Sequence, residues 1–208
     1  MSVAGSRLGG DSLDLPVAGG QVRVEVLGEG PALVLLHGWT LDRRVWMPQR
    51  VLADRLRLVA PDRRGFGQSS APPDLAREPD DVLALADALG IGRFVVAGQS
   101  QGGRVALHLA LRAPERVAGV LLLGSALDGL EGTAPEPPVP LAAMRAALEA
   151  GDAEAMRRLW AAHPFLAVRE PATRRLVAAM VADYAGRDLL AAAGSLPVTA
   201  EDLRGLVP

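Results

Sequence analysis

Phe94-Val95-Val96-Ala97-Gly98-Gln99-Ser100-Gln101-Gly102-Gly103-Arg104-Val105 is the stretch whose reading decides the fold. Four apolar residues run straight into Gly-x-Ser-x-Gly, and a helical pattern (Val105, Leu107, Leu109, Leu111) follows at once. A strand must therefore give way to a helix within one sharp turn, with Ser100 at its apex. Such a turn is sterically strained, and the residues two before and two after the serine must be small for the backbones to pass. Gly98 and Gly102 meet that demand, and Gly103 lets the helix lie close to the strand. A serine held this way exposes its hydroxyl beside the helix N-terminus, where backbone N–H groups favour a developing negative charge. Ser100 is thus a candidate nucleophile, the plain alternative being a loop serine beside a tight turn.

Outward from this turn, short apolar runs alternate with helical patterns, the signature of a parallel sheet covered by helices. Gln21–Leu27 alternates valine with polar residues and reads as a strand near the sheet edge. Leu33–Leu36, Leu56–Ala60, Phe94–Ala97 and Val120–Leu123 are more uniformly apolar, as strands buried on both faces should be. Helices are expected at about Arg43–Asp54, Asp80–Leu89 and Gln101–Arg112. After Ser125 a Pro-rich connection leads to Ala-rich helical patterns at about Leu141–Ala150, Ala153–Ala162 and Ala172–Tyr184. Their apolar inventory (Met144, Leu148, Met156, Trp160, Met180, Tyr184) reads as packing between helices rather than as a substrate box. The fold class is α/β.

Composition narrows the function. All 22 basic residues are Arg, dispersed among 24 acidic ones for a net charge of -2, so no nucleic-acid or membrane-surface footprint is expected. There is no Cys, and only three scattered His, which argues against a metal site. Residues 1–20 show no signal-peptide pattern, and no apolar run approaches the ~20 residues of a membrane span, so a soluble, cytoplasmic protein is expected.

Beside the Ser100 turn stand Leu35-Leu36-His37-Gly38-Trp39 at the end of an earlier strand, Trp46, and Pro61-Asp62-Arg63-Arg64-Gly65-Phe66-Gly67-Gln68-Ser69-Ser70. In order and spacing, residues 12–125 resemble the α/β-hydrolase family. That resemblance implies a mostly parallel sheet flanked by helices, with a helical cap inserted. Core, cap and the start of the closing core segment would be 1–125, 126–200 and 201–208. It implies Ser100 as nucleophile of an acyl-enzyme mechanism, with an oxyanion hole formed by the backbone N–H groups of Trp39 and Gln101. It also implies a small-molecule ester, lactone or related carbonyl substrate, with no cofactor; relatives that use an Asp nucleophile are disfavoured by Ser at position 100. Carbon–carbon bond hydrolases, enol-lactonases and haloperoxidase-like members stay open. His37 matches a position that is usually structural, while Asp62 and Arg64 read as loop-fixing residues. The Gly-x-Gly at 65–67 lacks the third glycine of a dinucleotide loop.

In that family the catalytic residues follow the chain order Ser, acid, His, and the strands bearing the last two are expected to be missing here. Asp128 follows the strand after the Ser100 helix and is a candidate acid, or else a solvated or capping loop residue. His108 lies more than two helical turns from Ser100, and His163 falls in the helical insertion. A catalytically incomplete or purely binding domain is therefore the competing expectation, together with an apolar open edge at Val120–Leu123.

Overall fold

The computed structural model describes residues 11–125, 137–191 and 194–204. Its centre is a six-stranded sheet in the order β1-β2-β4-β3-β5-β6. The strands are β1 (Asp11–Val17), β2 (Gly20–Leu27), β3 (Ala32–Leu36), β4 (Arg57–Pro61), β5 (Phe94–Gln99) and β6 (Val117–Leu123). β1 and β2 form an antiparallel hairpin, and β2 runs antiparallel to β4. β4, β3, β5 and β6 are parallel, and Leu36 of β3 pairs with Gly98 of β5. This register sets the carboxyl ends of β3 and β5 side by side, where the loops bearing Trp39 and Ser100 begin.

Successive side chains of a strand point to opposite faces, and both faces of this sheet are covered. On one, Val34, Leu36, Val59, Phe94 and Val96 pack with Val82 and Leu85 of α1 (Glu78–Ala88) and Val105 and Leu109 of α2 (Gln101–Arg112). On the other, Leu33, Leu35, Leu58, Ala60 and Ala97 pack with Trp46. Burying each such side chain stabilises the fold by about 1.5–3 kcal/mol. Trp46 lies in the run Arg43–Asp54, where the sequence suggests a helix; the run is 3₁₀ and contains Pro48. Proline has no N–H and clashes with the preceding turn, so a continuous α-helix cannot form there.

Four more helices follow: α3 (Leu141–Glu149), α4 (Ala153–Ala161), α5 (Pro171–Asp183) and α6 (Arg187–Leu190), before a terminal α7 (Ala200–Arg204). Met144, Met156, Trp160, Met180 and Tyr184 form one cluster with Trp39, Leu41 and Phe66. This helical layer is therefore seated on the loops that leave β3 and β4, at the Ser100 end of the sheet. Among the described residues no helix is long and apolar enough to cross a membrane.

Two strands depart from the sequence reading. β2 lies near the sheet edge as expected, but the edge itself is β1, a strand that the polar, Gly-rich sequence around Asp11–Val17 does not announce. It is mostly exposed, so its alternation is weak, and an edge strand tolerates Pro16. β6 is apolar but not buried on both faces: Leu121, Leu122 and Leu123 are 53%, 43% and 45% exposed, because β6 pairs with β5 alone among the described residues. An exposed apolar edge is a template for further strand pairing. The 208-residue chain is expected to self-associate in sedimentation velocity as its concentration rises, and Leu121→Lys with Leu123→Lys to shift it towards monomer. A chain that stays monomeric at all concentrations with β6 unaltered would contradict this.

Candidate active site

β5 ends at Gln99 and α2 begins at Gln101, leaving Ser100 as the whole connection. Its backbone sits at φ 50, ψ -116, a conformation that non-glycine residues adopt at a cost of about 1–3 kcal/mol. The surroundings hold it there. The Ser100 N–H donates to the Leu123 carbonyl at 2.9 Å, and its carbonyl accepts from the Gly103 N–H at 3.0 Å. A Cβ on Gly98 would collide with the backbone of Gly102 and Gly103, and one on Gly102 with the carbonyls of Leu36 and His37. A Cβ on Gly103 would overlap the Ser125 side chain and would also crowd the Gly98 carbonyl of β5, so this glycine lets α2 lie close to the strand. Ser100 itself is exposed to solvent.

The backbone N–H groups of Trp39 and Gln101 have no hydrogen-bond partner among the described residues. Gln101 is the first residue of α2, whose leading N–H groups have no acceptor within the helix. Trp39 lies in the irregular turn after β3, between Gly38 and Thr40. Both groups leave the same end of the sheet as Ser100.

Behind them is a buried polar layer that the sequence only partly disclosed. Arg63 donates to both oxygens of Glu78 at 2.5 and 3.0 Å, to the His37 carbonyl at 2.7 Å and to the Gln101 side-chain oxygen at 2.7 Å. Arg64 makes a bidentate pair with Asp81, at 2.6 and 2.7 Å, and reaches the carbonyls of Pro72 and Ala18. Asp62 accepts from the N–H groups of Arg43 and Gln68 and pairs with the Arg43 guanidinium, fixing its own loop. Sequence reasoning singled out Asp62 and Arg64 but passed over Arg63, because an Arg-Arg doublet does not say which side chain turns inward. Asp128 lies outside the described residues. A groove of about 870 Å³ lies between α4 and α5 and does not include Ser100.

Each of the three histidines is engaged away from Ser100. His108 faces the Pro197 carbonyl at 2.9 Å, and His163 is bonded to the Pro137 carbonyl and the Phe165 N–H. His37 is fully buried. Its Nε2 accepts from the Arg63 N–H at 2.9 Å, so the proton sits on Nδ1, which donates to the Gly38 carbonyl at 2.8 Å. Burial first, and then the Arg63 charge, hold this imidazole well below the ordinary range. The unfolded chain takes up a proton at His37 near pH 6.5 and the folded chain does not, so the contribution is complete above that pH. It is lost as pH falls below it, by about 1.4 kcal/mol per pH unit. Urea unfolding between pH 7 and pH 5 is expected to show a shallower pH slope in His37→Gln than in the unaltered chain; equal slopes would contradict a buried neutral imidazole.

The comparisons with known proteins agree with this architecture. Residues 31–188 match the family model described as alpha/beta hydrolase fold. A pimeloyl-[acyl-carrier protein] methyl ester esterase from Nitrosomonas europaea is 42% identical over 107 residues, which are 50% of this chain and 41% of that protein. A 2-hydroxymuconate semialdehyde hydrolase from a Pseudomonas species is 36% identical over 121 residues, covering 54% of this chain and 43% of that protein. Each match thus spans about two fifths of the relative's length. Among solved structures, a hydrolase from Pseudomonas aeruginosa superposes with a TM-score of 0.69 at 30% identity, over 86% of this chain and 70% of that one. With the strand–serine–helix turn, the sheet order and the family match over most of its length, the chain is a member of the α/β-hydrolase fold family.

Proposed function

We propose that the chain belongs to a serine hydrolase acting on an ester, lactone or related carbonyl compound through an acyl-enzyme at Ser100. The observation that carries this reading is the strained, solvent-exposed Ser100 at a strand–helix turn, at the same end of the sheet as the N–H groups of Trp39 and Gln101, which have no partner among the described residues. In the first step the Ser100 hydroxyl oxygen attacks the substrate carbonyl carbon while its proton passes to a base. The carbonyl oxygen gains the negative charge, which the two N–H groups and the N-terminus of α2 stabilise. Collapse expels the alcohol or enol, which takes the proton back from the base, and leaves the acyl group on Ser100. Water, giving a proton to the base, then attacks the ester so formed, and the acid leaves as that proton returns to the Ser100 oxygen. Helices α3–α6, seated on the loops after β3 and β4, act as a cap over the site. A carbonyl substrate accords with relatives named as an ester esterase and a semialdehyde hydrolase.

A second reading, a domain that binds without completing the reaction, is favoured by the histidines, since none of the three in these 208 residues is directed at Ser100. Removing a triad base leaves about 10³–10⁴-fold catalysis over water from the oxyanion hole and binding. The test is hydrolysis of short p-nitrophenyl esters with and without added imidazole, alongside a fluorophosphonate probe. The hydrolase reading expects slow turnover that imidazole accelerates, together with labelling, both abolished in Ser100→Ala. Turnover and labelling that are identical in Ser100→Ala would leave only the binding reading.

A further inference from the structure

The turn after β3 has no regular hydrogen bonding of its own, so its peptides are set by side-chain anchors. His37 Nδ1 holds the Gly38 carbonyl, and Thr40, at φ 62, accepts at its hydroxyl from the Trp160 indole at 2.7 Å. Between them, the Trp39 indole donates to Oδ2 of Asp188 at 2.5 Å. The other oxygen of Asp188 accepts from the Tyr184 hydroxyl at 2.7 Å. Asp188 forms no ion pair among the described residues, so two neutral donors hold its charge; bonds to an ionised acceptor are about twice as strong as neutral ones.

The carboxylate is the fixed partner in this arrangement. Asp188 lies in the four-residue α6, and three contacts pin that helix. Gly186, at φ 66, precedes it where a Cβ would run into Leu148 of α3 and Met156 of α4. Arg145 of α3 donates to the Leu189 carbonyl at 2.9 Å. Arg187 donates to the Ser69 carbonyl at 3.0 Å, in the loop after β4. Trp39, by contrast, is half-buried on an irregular turn and packs at 4.9 Å on Trp160. Only two side-chain torsions, both restricted by the packing against Trp160, separate its indole from its own backbone.

We propose that Asp188 is a positioning residue for the Trp39 peptide: by clamping the indole it sets the direction of the Trp39 N–H, so that seating the helical layer assembles one side of the oxyanion site. The catalytic part of this inference rests on the reading of Ser100 given under Proposed function. The clamp also makes the site conditional, because any displacement of α6 releases Trp39 first. No sequence spacing announces it, since Trp39 and Asp188 are 149 positions apart.

The test uses the full 208-residue chain and two readouts. Nitrogen–proton spectra, with the Trp39 signals assigned by Trp39→Phe, report the indole and the backbone N–H of Trp39. Titration with an alkylboronic acid, which forms a tetrahedral adduct on a serine hydroxyl, reports the oxyanion site. In Asp188→Asn both Trp39 signals are expected to move and boronate affinity to fall about tenfold to a hundredfold, the effect of a small misplacement at a reacting centre. Tyr184→Phe, which keeps the Trp39 bond, should lie between. Asp183→Asn, whose carboxylate pairs with Arg44 at the surface, should leave both readouts unchanged. If the unaltered chain binds no boronate, the reading of Ser100 fails, and the Trp39 signals still decide whether Asp188 positions that peptide. If boronate binds equally well to Asp188→Asn, or its Trp39 backbone signal stays in place, the positioning role is overturned.

Discussion

The Arg63 guanidinium, buried beneath the carboxyl ends of the strands, is the contact on which the candidate site depends. Four segments that are remote in sequence end on it: the turn after β3 through the His37 carbonyl, the β4 loop that bears it, α1 through Glu78, and α2 through the Gln101 side chain. Its own N–H, donated to His37 Nε2, fixes the tautomer that in turn holds Gly38. Buried charge is costly, and burial pushes the Glu78 carboxyl up while the Arg63 charge pulls it down. The bidentate pair with Glu78 and two further acceptors give the guanidinium four hydrogen bonds in place of water. Such a pair adds little net stability over well-packed apolar residues, but losing one partner is severe. Its value here is placement, because it joins the turn after β3 and the start of α2 into one platform.

That platform explains how Ser100 keeps a backbone conformation it would not choose alone. The turn is held by a bond to the end of β6, by the close passage of Gly98 and Gly102, and by α2, whose first residue is tied to Arg63. Strain of this kind persists only where the surroundings over-determine it. The helical layer adds a second constraint from above. Trp39, Trp160, Phe66 and Tyr184 interlock as an aromatic cluster over the loops, and Asp188 and Thr40 satisfy the polar atoms that this packing buries.

Much of the fold was legible because its signals are local. Strands buried on both faces read as apolar runs, the buried face of α2 recurs every three to four residues once its small residues are counted (Gly102, Val105, Ala106, Leu109, Ala110), and Gly98-Gln99-Ser100-Gln101-Gly102 announces a turn that little else in the sequence could make. The illegible parts depend on neighbours. β1 is exposed, so its alternation is blurred, while β6 has the composition of a buried strand yet pairs on only one side among the described residues. Pro48 turned an expected helix into a 3₁₀ run. In the site, Ser100 was legible through adjacent glycines and a strand end, whereas Trp39 and Gln101 entered only through the family resemblance. Arg63, Glu78 and Asp188 were missed, because a buried ion pair or a clamp spanning the chain has no spacing signature, and an exposed Arg63 would read the same in sequence.

The most direct measurement is the unfolding free energy of Glu78→Gln, set beside that of Glu78→Gln combined with Arg63→Met. The single change strands a buried guanidinium and is expected to cost about 3–5 kcal/mol, whereas the double change should recover most of that loss. A single change costing less than about 1 kcal/mol, as for a solvent-exposed pair, or a double variant in which the losses simply add, would contradict the claim that this buried pair holds the site together.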